Sequence, residues 1–446
     1  DWSSDVCSSD LITLLDETGQ PASSVDAKSP AGDVIGTFTV DKETGVVTFT
    51  PTDKSYSGDV VPVKVQAADT NGTTVETTYT PKITPVVPTS EDATTTDIQG
   101  ATQTGKPVFT EGDSRVPMND DVPATFEDGS TTKTVDGVGT YTVAADGTVT
   151  FVPEKSFTGK APAVTVVRED KNGTKASATY TPSVTPITVT PTDKVSADVQ
   201  NVPQTQTPTF DLSNDKTAEI TSKKLVDPAT CQPTDETTVT VAGEGSYTID
   251  PTTGAVTFTP EKDFVGTAKG VTVQATATIT NANGKTATIT SDATYTPTVV
   301  AAVPTAQPAT SKDIQGATQT GTPTFAGTTV QVNGEDKAIT IKDNSYTLLD
   351  NDGNEVTSTP AYAADGTTEI GTYSIDSATG QVTFTPTDKS YTGVVTPAKV
   401  QAESSNGIKV DTTYTPEIVP VTPTATPAET KDIQGATQTG KRSEER

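Results

Sequence analysis

The chain has 446 residues, no histidine and a formal net charge of −28, and only 31% of its residues are hydrophobic. This length corresponds to about three or four domains of ordinary size. A low hydrophobic content combined with a high net charge is typical of disordered proteins. Thr and Val are abundant, however, and Leu is scarce, which favours β-strands over helices. The composition is therefore compatible with disorder or with β-structure around small cores.

The same composition excludes several kinds of site. Without histidine there is no Ser-His-Asp or Cys-His nucleophile and no zinc site with an imidazole ligand. The two cysteines, Cys7 and Cys231, are too few for a thiolate metal cluster or a disulfide framework. The acidic balance argues against binding of nucleic acid or of an anionic membrane through bulk attraction. No apolar run reaches 18 residues, so the sequence predicts no membrane insertion.

The two ends of the chain differ from the rest. Residues 1–11 read DWSSDVCSSDL and residues 442–446 read RSEER, and both resemble translated sequencing-adapter DNA. Met118 is the only methionine. We therefore expect an internal fragment of a longer protein, with both ends outside the fold. The alternative is a genuine short tail rich in Ser and Asp.

One unit occurs four times along the chain. Its closing motif, Thr-Tyr-Thr-Pro, ends at Pro81, Pro182, Pro297 and Pro416. Its opening motif, Asp-Ile-Gln-Gly-Ala-Thr-Gln-Thr-Gly, starts at Asp97, Asp313 and Asp432, with a degenerate copy at Asp198. Both motifs recur at spacings of 101, 115 and 119 residues, so the units are joined in a fixed phase. Pro- and Thr-rich stretches lie between the units and favour extended, semi-rigid spacers.

The middle of each unit predicts a β-hairpin with one apolar face. In the second unit two apolar residues alternate with Thr, Asp146-Gly147 turns the chain, and two further apolar residues alternate after it. The apolar positions are Phe38, Val40, Val47 and Phe49; Tyr141, Val143, Val149 and Phe151; Tyr247, Ile249, Val256 and Phe258; and Tyr373, Ile375, Val382 and Phe384.

A second hairpin is predicted near the end of each unit, where Asn-Gly lies between two strand-like segments. The turns are Asn71-Gly72, Asn172-Gly173, Asn283-Gly284 and Asn406-Gly407. Strand signals lie about 8–15 residues apart, without helical periodicity. The sequence thus predicts an all-β fold of tandem antiparallel β-sandwich, Ig-like repeats of about 100–119 residues that form an elongated rod.

The repeat phase also predicts the domain boundaries. The first repeat is expected to lack its opening strands, because Ile12–Asp16 matches Tyr346–Asp350 of the fourth. The predicted segments are an end sequence at 1–11, a truncated repeat at 12–88, whole repeats at 89–189, 190–304 and 305–423, the start of a further repeat at 424–441, and an end sequence at 442–446. The third repeat departs most from the others, with an insertion that carries Lys223, Lys224 and Cys231.

Five motifs in fixed order, repeated four times, resemble the CshA-type fibril repeat. They are the opening motif, Gly-Thr-Tyr-Thr, Thr-Phe-Thr-Pro, aromatic-x-Gly and Thr-Tyr-Thr-Pro, and the resemblance extends over residues 12–440. That family occurs in large cell-wall-anchored surface adhesins of Gram-positive bacteria, notably oral streptococci. The resemblance implies that the repeats form the stalk of a surface fibril. It further implies an adhesive N-terminal region and a C-terminal sorting signal, which we expect outside this sequence.

Three candidate sites in the sequence each have a simpler interpretation. The acidic segment Asp350–Glu355 could bind Ca²⁺, but it lacks the EF-hand spacing, which favours an ordinary turn. Lys64 and Lys399 could form Lys–Asn isopeptide crosslinks, but the other repeats have Thr165 and Thr272 there, which indicates a solvent-facing position. Cys231 is expected to be a solitary loop thiol, with a thiol-linked dimer as the alternative. We therefore predict no catalytic, cofactor-binding or metal-binding residues and no cofactor.

The sequence and the resemblance together predict a non-enzymatic, extracellular protein on the cell-wall surface. The expected role is the structural stalk of a cell-wall-anchored fibril that projects a distal adhesive region. The alternative is that the repeats themselves bind host matrix protein or saccharide through the variable segment after the opening motif. The expected partners are neighbouring repeats of the same chain, with other fibril chains as a further candidate. A host receptor would be bound by regions outside this sequence.

Overall fold

A computed structural model describes residues 11–440 and the backbone of residues 444 and 445. Within these residues all regular elements are β-strands. None of them belongs to a helix long and apolar enough to cross a membrane. The predicted all-β fold is therefore confirmed. Trp2 and Cys7 lie outside the described residues, and Leu11 begins the first strand, opposite Ala68.

The first repeat contains nine strands. They are β1 (Leu11–Leu15), β2 (Pro21–Ala22), β3 (Ser24–Lys28), β4 (Val34–Val40), β5 (Val47–Pro51), β6 (Gly58–Asp59), β7 (Val63–Ala68), β8 (Thr74–Tyr79) and β9 (Lys82–Ile83). One sheet has the order β2-β1-β7-β8, a second has the order β3-β4-β5, and β6 pairs with β9. In this repeat β5 and β8 are each at the edge of a sheet.

The second repeat contains eleven strands. They are β10 (Thr89–Glu91), β11 (Ala93–Ile98), β12 (Gln103–Gly105), β13 (Val108–Thr110), β14 (Thr125–Phe126), β15 (Thr132–Val135), β16 (Gly139–Val143), β17 (Val149–Pro153), β18 (Gly159–Lys160), β19 (Val164–Glu169) and β20 (Lys175–Thr185). One sheet has the order β11-β20-β19-β14 with β18 also on β20, and the other has the order β12-β17-β16-β15. A short ribbon pairs β10 with β13.

The third repeat has the same plan with longer strands. Its strands are β21 (Val189–Thr192), β22 (Lys194–Val199), β23 (Gln204–Gln206), β24 (Thr209–Leu212), β25 (Ala218–Asp227), β26 (Gln232–Pro233), β27 (Thr238–Val241), β28 (Gly245–Ile249), β29 (Val256–Pro260), β30 (Gly266–Thr267), β31 (Val271–Thr280) and β32 (Thr286–Val300). The sheets have the orders β22-β32-β31-β25-β26 and β23-β29-β28-β27. Strand β25 occupies the place of β14 in the first sheet but is longer, and it carries Lys223 and Lys224 of the inserted segment.

The fourth repeat has an extra hairpin in its variable segment. Its strands are β33 (Thr305–Gln307), β34 (Ala309–Ile314), β35 (Gln319–Gly321), β36 (Thr324–Ala326), β37 (Thr328–Val332), β38 (Glu335–Ile339), β39 (Thr347–Leu349), β40 (Glu355–Val356), β41 (Ser358–Tyr362), β42 (Glu369–Ile375), β43 (Val382–Pro386), β44 (Gly393–Val394), β45 (Ala398–Glu403) and β46 (Lys409–Val419). The sheets have the orders β34-β46-β45-β39-β40 and β35-β43-β42-β41, and β37 pairs with β38. Beyond this repeat, β47 (Thr424–Ala425) pairs with β48 (Glu444–Glu445).

Both predicted hairpins are confirmed in all four repeats. In the central hairpin of the second repeat Tyr141 lies directly opposite Phe151, with ring centroids 4.6 Å apart. The Asn-Gly hairpin has a three-residue loop, because the amide of Asp170 donates to the carbonyl of Thr174 and Gly173 has a φ of 83°. Glycine adopts this left-handed conformation without steric cost.

Each core is a small group of aromatic and β-branched side chains between two sheets. In the second repeat Tyr141, Phe151 and Tyr180 are each 0% exposed, and valines from both sheets surround them. The fully buried aromatic residues in the described part of the chain are Phe38, Tyr141, Phe151, Tyr180, Tyr247, Phe258, Tyr295, Tyr373, Phe384 and Tyr414. Alternation places these few residues on one face of each strand, so a low overall hydrophobic content still produces a core.

One pairing in each whole repeat is parallel. Strand β11 runs parallel to β20, with Ala93 beside Tyr180 and Ile98 beside Thr185. The same pairing joins β22 to β32 and β34 to β46. The other pairings given above are antiparallel, as the sequence predicts. The parallel pairing carries the opening motif to the end of the repeat where the closing strand leaves it.

The chain divides into two compact units that do not coincide with the repeat phase. One unit contains the described residues up to 189 together with 212–220 and 277–289, and the other contains the remaining residues. The tip of the third repeat thus belongs to the same unit as the second repeat, and the opening segment of the third repeat belongs to the same unit as the fourth. The boundaries predicted between repeats stay a prediction.

Candidate functional site: the joints between repeats

The second glutamine of the opening motif ties the opening strand to the closing strand. In the second repeat Thr95 Oγ1 donates to Gln103 Oε1 over 2.5 Å and lies 2.7 Å from the hydroxyl of Tyr180. Gln103 Nε2 donates to the carbonyl of Ser183 over 2.9 Å. Since Thr95 has one hydroxyl proton and uses it on Gln103, the hydroxyl of Tyr180 is the donor to Thr95.

The same network occurs in the next two repeats, with serine in place of threonine. The groups are Ser196, Gln204 and Tyr295 in the third repeat and Ser311, Gln319 and Tyr414 in the fourth. The three glutamines are between 3% and 5% exposed. Burial raises the pKa of the Tyr180, Tyr295 and Tyr414 phenols, although a hydrogen bond with the hydroxyl partner opposes this effect. The tyrosine of the closing motif and the glutamine of the opening motif are therefore two halves of one buried contact.

The glycine that ends the opening motif makes room for this tyrosine. A Cβ at Gly105 would lie 2.1 Å from Cε2 of Tyr180, and a Cβ at Gly321 would lie 2.2 Å from Cε2 of Tyr414. No heavy-atom contact between side chains is this short, so a larger residue would displace the ring. The third repeat has Gln206 at this position. The close approach of the tyrosine ring thus explains the glycine in the second and fourth repeats.

The first half of the opening motif lies at the end of the repeat that the closing strand leaves. The amide of Gln99 donates to the carbonyl of Thr185, and Gln99 Nε2 donates to the carbonyl of Lys155 over 3.1 Å. The amide of Ile187 donates to Gln99 Oε1 over 3.4 Å, just after the closing strand. Gln99 therefore fixes the direction in which the chain enters the next repeat.

The next repeat packs on this motif. Lys216 Nζ lies 2.8 Å from Asp97 Oδ2, and Thr217 Oγ1 donates to the carbonyl of Gln99 over 2.6 Å. At the tip of the Asn-Gly hairpin, Asn281 Nδ2 donates to the carbonyl of Pro153 over 3.1 Å. A small apolar cluster accompanies these contacts and contains Ile98, Ile187, Leu212, Ala218, Ile279 and Ile289.

A joint of the same kind connects the third and fourth repeats. Lys337 forms an ion pair with Asp198, which corresponds to Asp97. Asn406 Nδ2 donates to the carbonyls of Gln200 and Ala302 over 3.3 and 3.1 Å. The apolar cluster of this joint contains Ala197, Val199, Val202, Val300, Ala302, Val330, Val332 and Ile339. Both joints thus combine a lysine on the motif aspartate, a tip asparagine on a backbone carbonyl, and a small apolar contact.

The charges of the joints are partly shielded from solvent. Burial raises the pKa of Asp97, but hydrogen bonds from Lys216 and from the amide of Ile98 outweigh it, so the net pKa is lowered. Asn406 is 7% exposed, and Ser404 Oγ donates to its Oδ1 over 2.5 Å, which leaves Nδ2 free for the two carbonyls. The aspartate and the asparagine of each joint thus have hydrogen-bond partners, whereas the buried Oε1 of Gln200 has none among the described residues.

The residues of the joints were not identified as functional from the sequence. The opening motif was interpreted only as the start of a repeat, and Lys216, Lys337 and the tip asparagines were not singled out. One signal was available. The first residue of the tip turn is Asp69 and Asp170 in the first two repeats but Asn281 in the third, where a donor is needed.

The other candidate positions are ordinary surface features. Lys64 is exposed and lies 3.3 Å from Glu76, and Lys399 is exposed as well, which agrees with the predicted solvent-facing position. The carboxylate of Asp350 accepts the amides of Asp352 and Asn354, so its acidic segment forms a turn. Hydrogen bonds from Asn354 lower the pKa of this carboxyl. Cys231 is an exposed, free thiol in a loop.

No group of three or more metal-ligating side chains occurs in the part of the chain that the structure describes. The predicted absence of catalytic, cofactor-binding and metal-binding residues stays a prediction.

Several solved structures of tandem β-sandwich domains are similar to this chain. The tandem of titin domains I9–I11 is 12% identical, with 76% of this chain and 99% of that chain covered and a TM-score of 0.31. The protocadherin gammaB7 EC3-6 cis-dimer structure is 10% identical, with 94% and 93% covered and a TM-score of 0.29. The Sidekick-1 immunoglobulin domains 1–5 are 11% identical, with 93% and 75% covered and a TM-score of 0.25. The fold assignment rests on the strands and pairings described above.

A search of curated proteins returned no match. The family model of the surface adhesin CshA repetitive domain matches residues 3–83, 85–184, 186–299 and 301–418. These four matches are consecutive and extend over most of the chain, and each joint connects residues of two neighbouring matches. The chain belongs to the CshA repeat family and is a tandem-repeat region of a surface adhesin.

Proposed function

We propose that this repeat region is the stalk of a cell-wall-anchored surface fibril and that it projects a distal adhesive region from a Gram-positive cell. The observation that carries this proposal is the pair of joints described above. Each joint connects the end of one repeat to the tip of the next through Asp–Lys and asparagine–carbonyl contacts. Contacts of this kind limit bending between neighbours, which is what a stalk requires.

The charge of the chain supports the same role. With 58 acidic and 30 basic residues, the chain carries a formal net charge of −28. Like charges along a tandem array repel one another, and this repulsion disfavours collapse and clumping at low ionic strength. The proposal includes no enzymatic activity, and it places the protein outside the cell, attached to the wall.

Binding of host matrix protein or saccharide by the repeats is the alternative. This alternative requires the variable segment to form exposed loops. Parts of that segment instead contact the preceding repeat, since Lys216 and Ala218 belong to one joint and Val332, Lys337 and Ile339 belong to the other. This use of the variable segment favours the stalk. Saturable binding of matrix protein or glycans by residues 305–420 would favour the alternative.

Small-angle X-ray scattering of the full chain tests the proposal. A compact particle of 446 residues would have a radius of gyration of about 22 Å. Four repeats in a row, each adding roughly 35 Å, would instead give a radius of gyration of roughly 40 Å. We expect the larger value and a distance distribution with a long tail. A compact globule would overturn the stalk proposal.

The contribution of the joints can be separated from that of the linkers. The double variant Lys216→Ala, Asn281→Asp removes the Asp97–Lys216 ion pair and the Asn281–Pro153 hydrogen bond of one joint. Lys64→Ala with Glu76→Ala removes an exposed ion pair inside the first repeat. We expect the joint variant to scatter as a more flexible particle and the control to match the unaltered chain. Equal scattering from all three would show that the joints do not set the stiffness.

A further inference from the structure

The chain contains five Asn-Gly pairs, and one of them lies inside a joint. The pairs begin at Asn71, Asn172, Asn283, Asn333 and Asn406. Asn71, Asn283 and Asn333 are exposed and Asn172 is half-buried. Asn406 is buried, because it belongs to the contact between the third and fourth repeats. The structure thus treats this pair differently from the other four.

The two joints place their asparagine at different positions of the tip turn. In the third repeat the donor is Asn281, the first residue of the turn, and Ala282 follows it. In the fourth repeat Ser404 is the first residue of the turn, since its amide donates to the carbonyl of Ile408. The donor there is Asn406, two residues further on. The fourth repeat therefore docks through an asparagine that precedes a glycine.

An asparagine followed by glycine is chemically labile. The backbone nitrogen of the glycine attacks Cγ of the asparagine and forms a succinimide ring. The bond from Cγ to Nδ2 breaks, and the Nδ2 group leaves as ammonia with the proton that the backbone nitrogen gives up. Water then opens the ring to aspartate or isoaspartate. Glycine favours the attack because it has no Cβ to hinder it, and asparagine is for this reason a thermolabile residue.

The closed joint restrains both reacting groups of this pair. Asn406 Nδ2 donates to the carbonyls of Gln200 and Ala302, and Ser404 Oγ donates to its Oδ1. The amide of Gly407, which must lose its proton, donates to the carbonyl of Ser404 over 2.9 Å. Gln200 and Ala302 belong to the third repeat, so opening of the joint releases Nδ2 and frees the side-chain amide to rotate.

The product of the reaction cannot close the joint again. A carboxylate has no hydrogen to donate to the carbonyls of Gln200 and Ala302, and in the closed joint it would lie buried against their oxygens. The reaction also adds a negative charge to a joint that already contains Asp198. Isoaspartate additionally lengthens the main chain of the turn.

We propose that Asn406 is a deamidation site whose reactivity is controlled by the joint between the third and fourth repeats. The closed joint protects Asn406, and an open joint lets Asn406 react and then stays open. A reversible opening is thereby converted into a permanent loss of stiffness at one place in the chain. The joint of Asn281 lacks this property, because the side chain of Ala282 hinders the attack.

Peptide mapping by mass spectrometry tests the proposal on the full chain. The chain is incubated below its unfolding transition at mildly alkaline pH, because the attacking nitrogen must lose its proton. We expect Asn406 to deamidate about tenfold more slowly than Asn283 and Asn333, since two hydrogen bonds must break first. Equal rates at the three positions would overturn the proposal, because the joint would then give no protection.

A variant with a weakened joint should remove this protection. The double variant Lys337→Ala, Val332→Ala deletes the ion pair with Asp198 and part of the apolar cluster. We expect Asn406 to react about tenfold faster in this variant, with the rates of the exposed pairs unchanged. Lys342→Ala is the control, because it removes an ion pair beside the same turn but within the fourth repeat. An unchanged rate at Asn406 in the double variant would also overturn the proposal.

The variant Gly407→Asn separates the chemistry from the docking. It keeps Asn406 as the donor but removes the labile pair. Asparagine tolerates the positive φ of 75° at this position, and no atom lies within 4 Å of a Cβ built there. After incubation, hydrogen exchange of residues 328–339 should become faster in the double variant, and this loosening should be absent when Gly407→Asn is added to it. Equal loosening with and without Gly407→Asn would overturn the proposal.

The product can also be introduced directly. The variant Asn406→Asp should show fast exchange of residues 328–339 without any incubation. Asn283→Asp is the matched control, because Asn283 has the same turn position in the third repeat and is exposed. Normal exchange of residues 328–339 in Asn406→Asp would contradict the second half of the proposal, that the deamidated joint stays open.

Discussion

The ring of Tyr414 lies directly against the backbone of Gly321, where a Cβ would fall 2.2 Å from Cε2 of the ring. These residues belong to the closing and opening motifs of the fourth repeat, and the contact joins two segments nearly one hundred residues apart in sequence. The opening and closing motifs look like independent markers of the start and end of a repeat in the sequence. In the fold they therefore form a single packing unit.

The variant Gly321→Ala should destabilise the fourth repeat by roughly 1–3 kcal/mol, since the ring of Tyr414 must move within a packed core. The measurement is hydrogen exchange with mass spectrometry, which reports the opening of each repeat separately. The matched control is Gly440→Ala at the same motif position, where a Cβ would be 3.4 Å from Ala428 and makes an ordinary contact. Equal exchange in the two variants would contradict this account of the motif glycine.

The variant Gln319→Ala should also destabilise the fourth repeat by roughly 1–3 kcal/mol, because it removes the acceptor of the Ser311 hydroxyl proton and the side-chain donor to the Glu417 carbonyl. Urea unfolding monitored by tyrosine absorbance measures the effect. Gln381→Ala serves as the control, since Gln381 is exposed. If the control loses as much stability as Gln319→Ala, the network has no special role.

The variant Asn281→Asp should loosen the joint between the second and third repeats while keeping the turn. The carboxylate can still accept the amides of Asn283 and Lys285, as Asp170 accepts those of its own turn. The carboxylate cannot donate to the carbonyl of Pro153. It would also occupy a buried position, because Asn281 is only 4% exposed. We expect faster exchange of residues 277–289 and unchanged exchange in the fourth repeat.

Asn283→Asp is the control for this joint, because Asn283 is exposed and in the same turn. A second measurement separates the donor from general damage. Lowering the pH protonates the new carboxyl group, which can then donate again, so the joint of the Asn281→Asp variant should partly recover. Identical behaviour of the two variants at every pH would contradict the assigned role of Asn281.

The stability of the repeats should fall in acid. Many turn aspartates accept backbone amides, and these hydrogen bonds lower their pKa from the ordinary value of 3.8, as at Asp16, Asp41, Asp250 and Asp376. The pKa of Asp365 is lowered to about 2 by hydrogen bonds from Thr368 and Thr367. A carboxyl group with a lowered pKa stabilises the fold above its unfolded value and loses that contribution as the pH falls through the folded value.

We therefore expect the urea midpoint to decline as the pH falls below about 4. Protonation of carboxylates in acid also reduces the net negative charge of the chain, and the weaker repulsion raises the stability of the fold. Measurements at low and at high salt separate the two effects, since salt screens the repulsion and leaves the short hydrogen bonds in the turns. A urea midpoint that rises steadily as the pH is lowered to about 2.5 at high salt would contradict this prediction.

The hairpins could be predicted from the sequence because both strands and the turn are local. Alternating Tyr and Val with Thr around Asp146-Gly147 specifies which face is buried and where the chain reverses. The match between Ile12–Asp16 and Tyr346–Asp350 was informative for the same reason, and β1 and β39 do occupy corresponding places beside β7 and β45.

The joints could not be predicted, because they depend on which distant strands are neighbours. Periodicity shows that Ala93–Ile98 is extended, but it does not show that this strand runs parallel to Tyr180–Thr185. Without that pairing, Asp97 and Gln99 appear to begin a repeat, although they lie where the next repeat docks. The ion pair of Asp97 with Lys216 joins residues 119 positions apart, beyond the reach of any local pattern.

The parallel pairing of the opening and closing strands determines how a repeat responds to force. When the two ends of a repeat are pulled apart, β11 is drawn one way and β20 the other along their common axis. The ladder from Ala93–Tyr180 to Ile98–Thr185 is then loaded in shear, so its hydrogen bonds must break together and not one after another. In each whole repeat this resistance comes from six residue pairs.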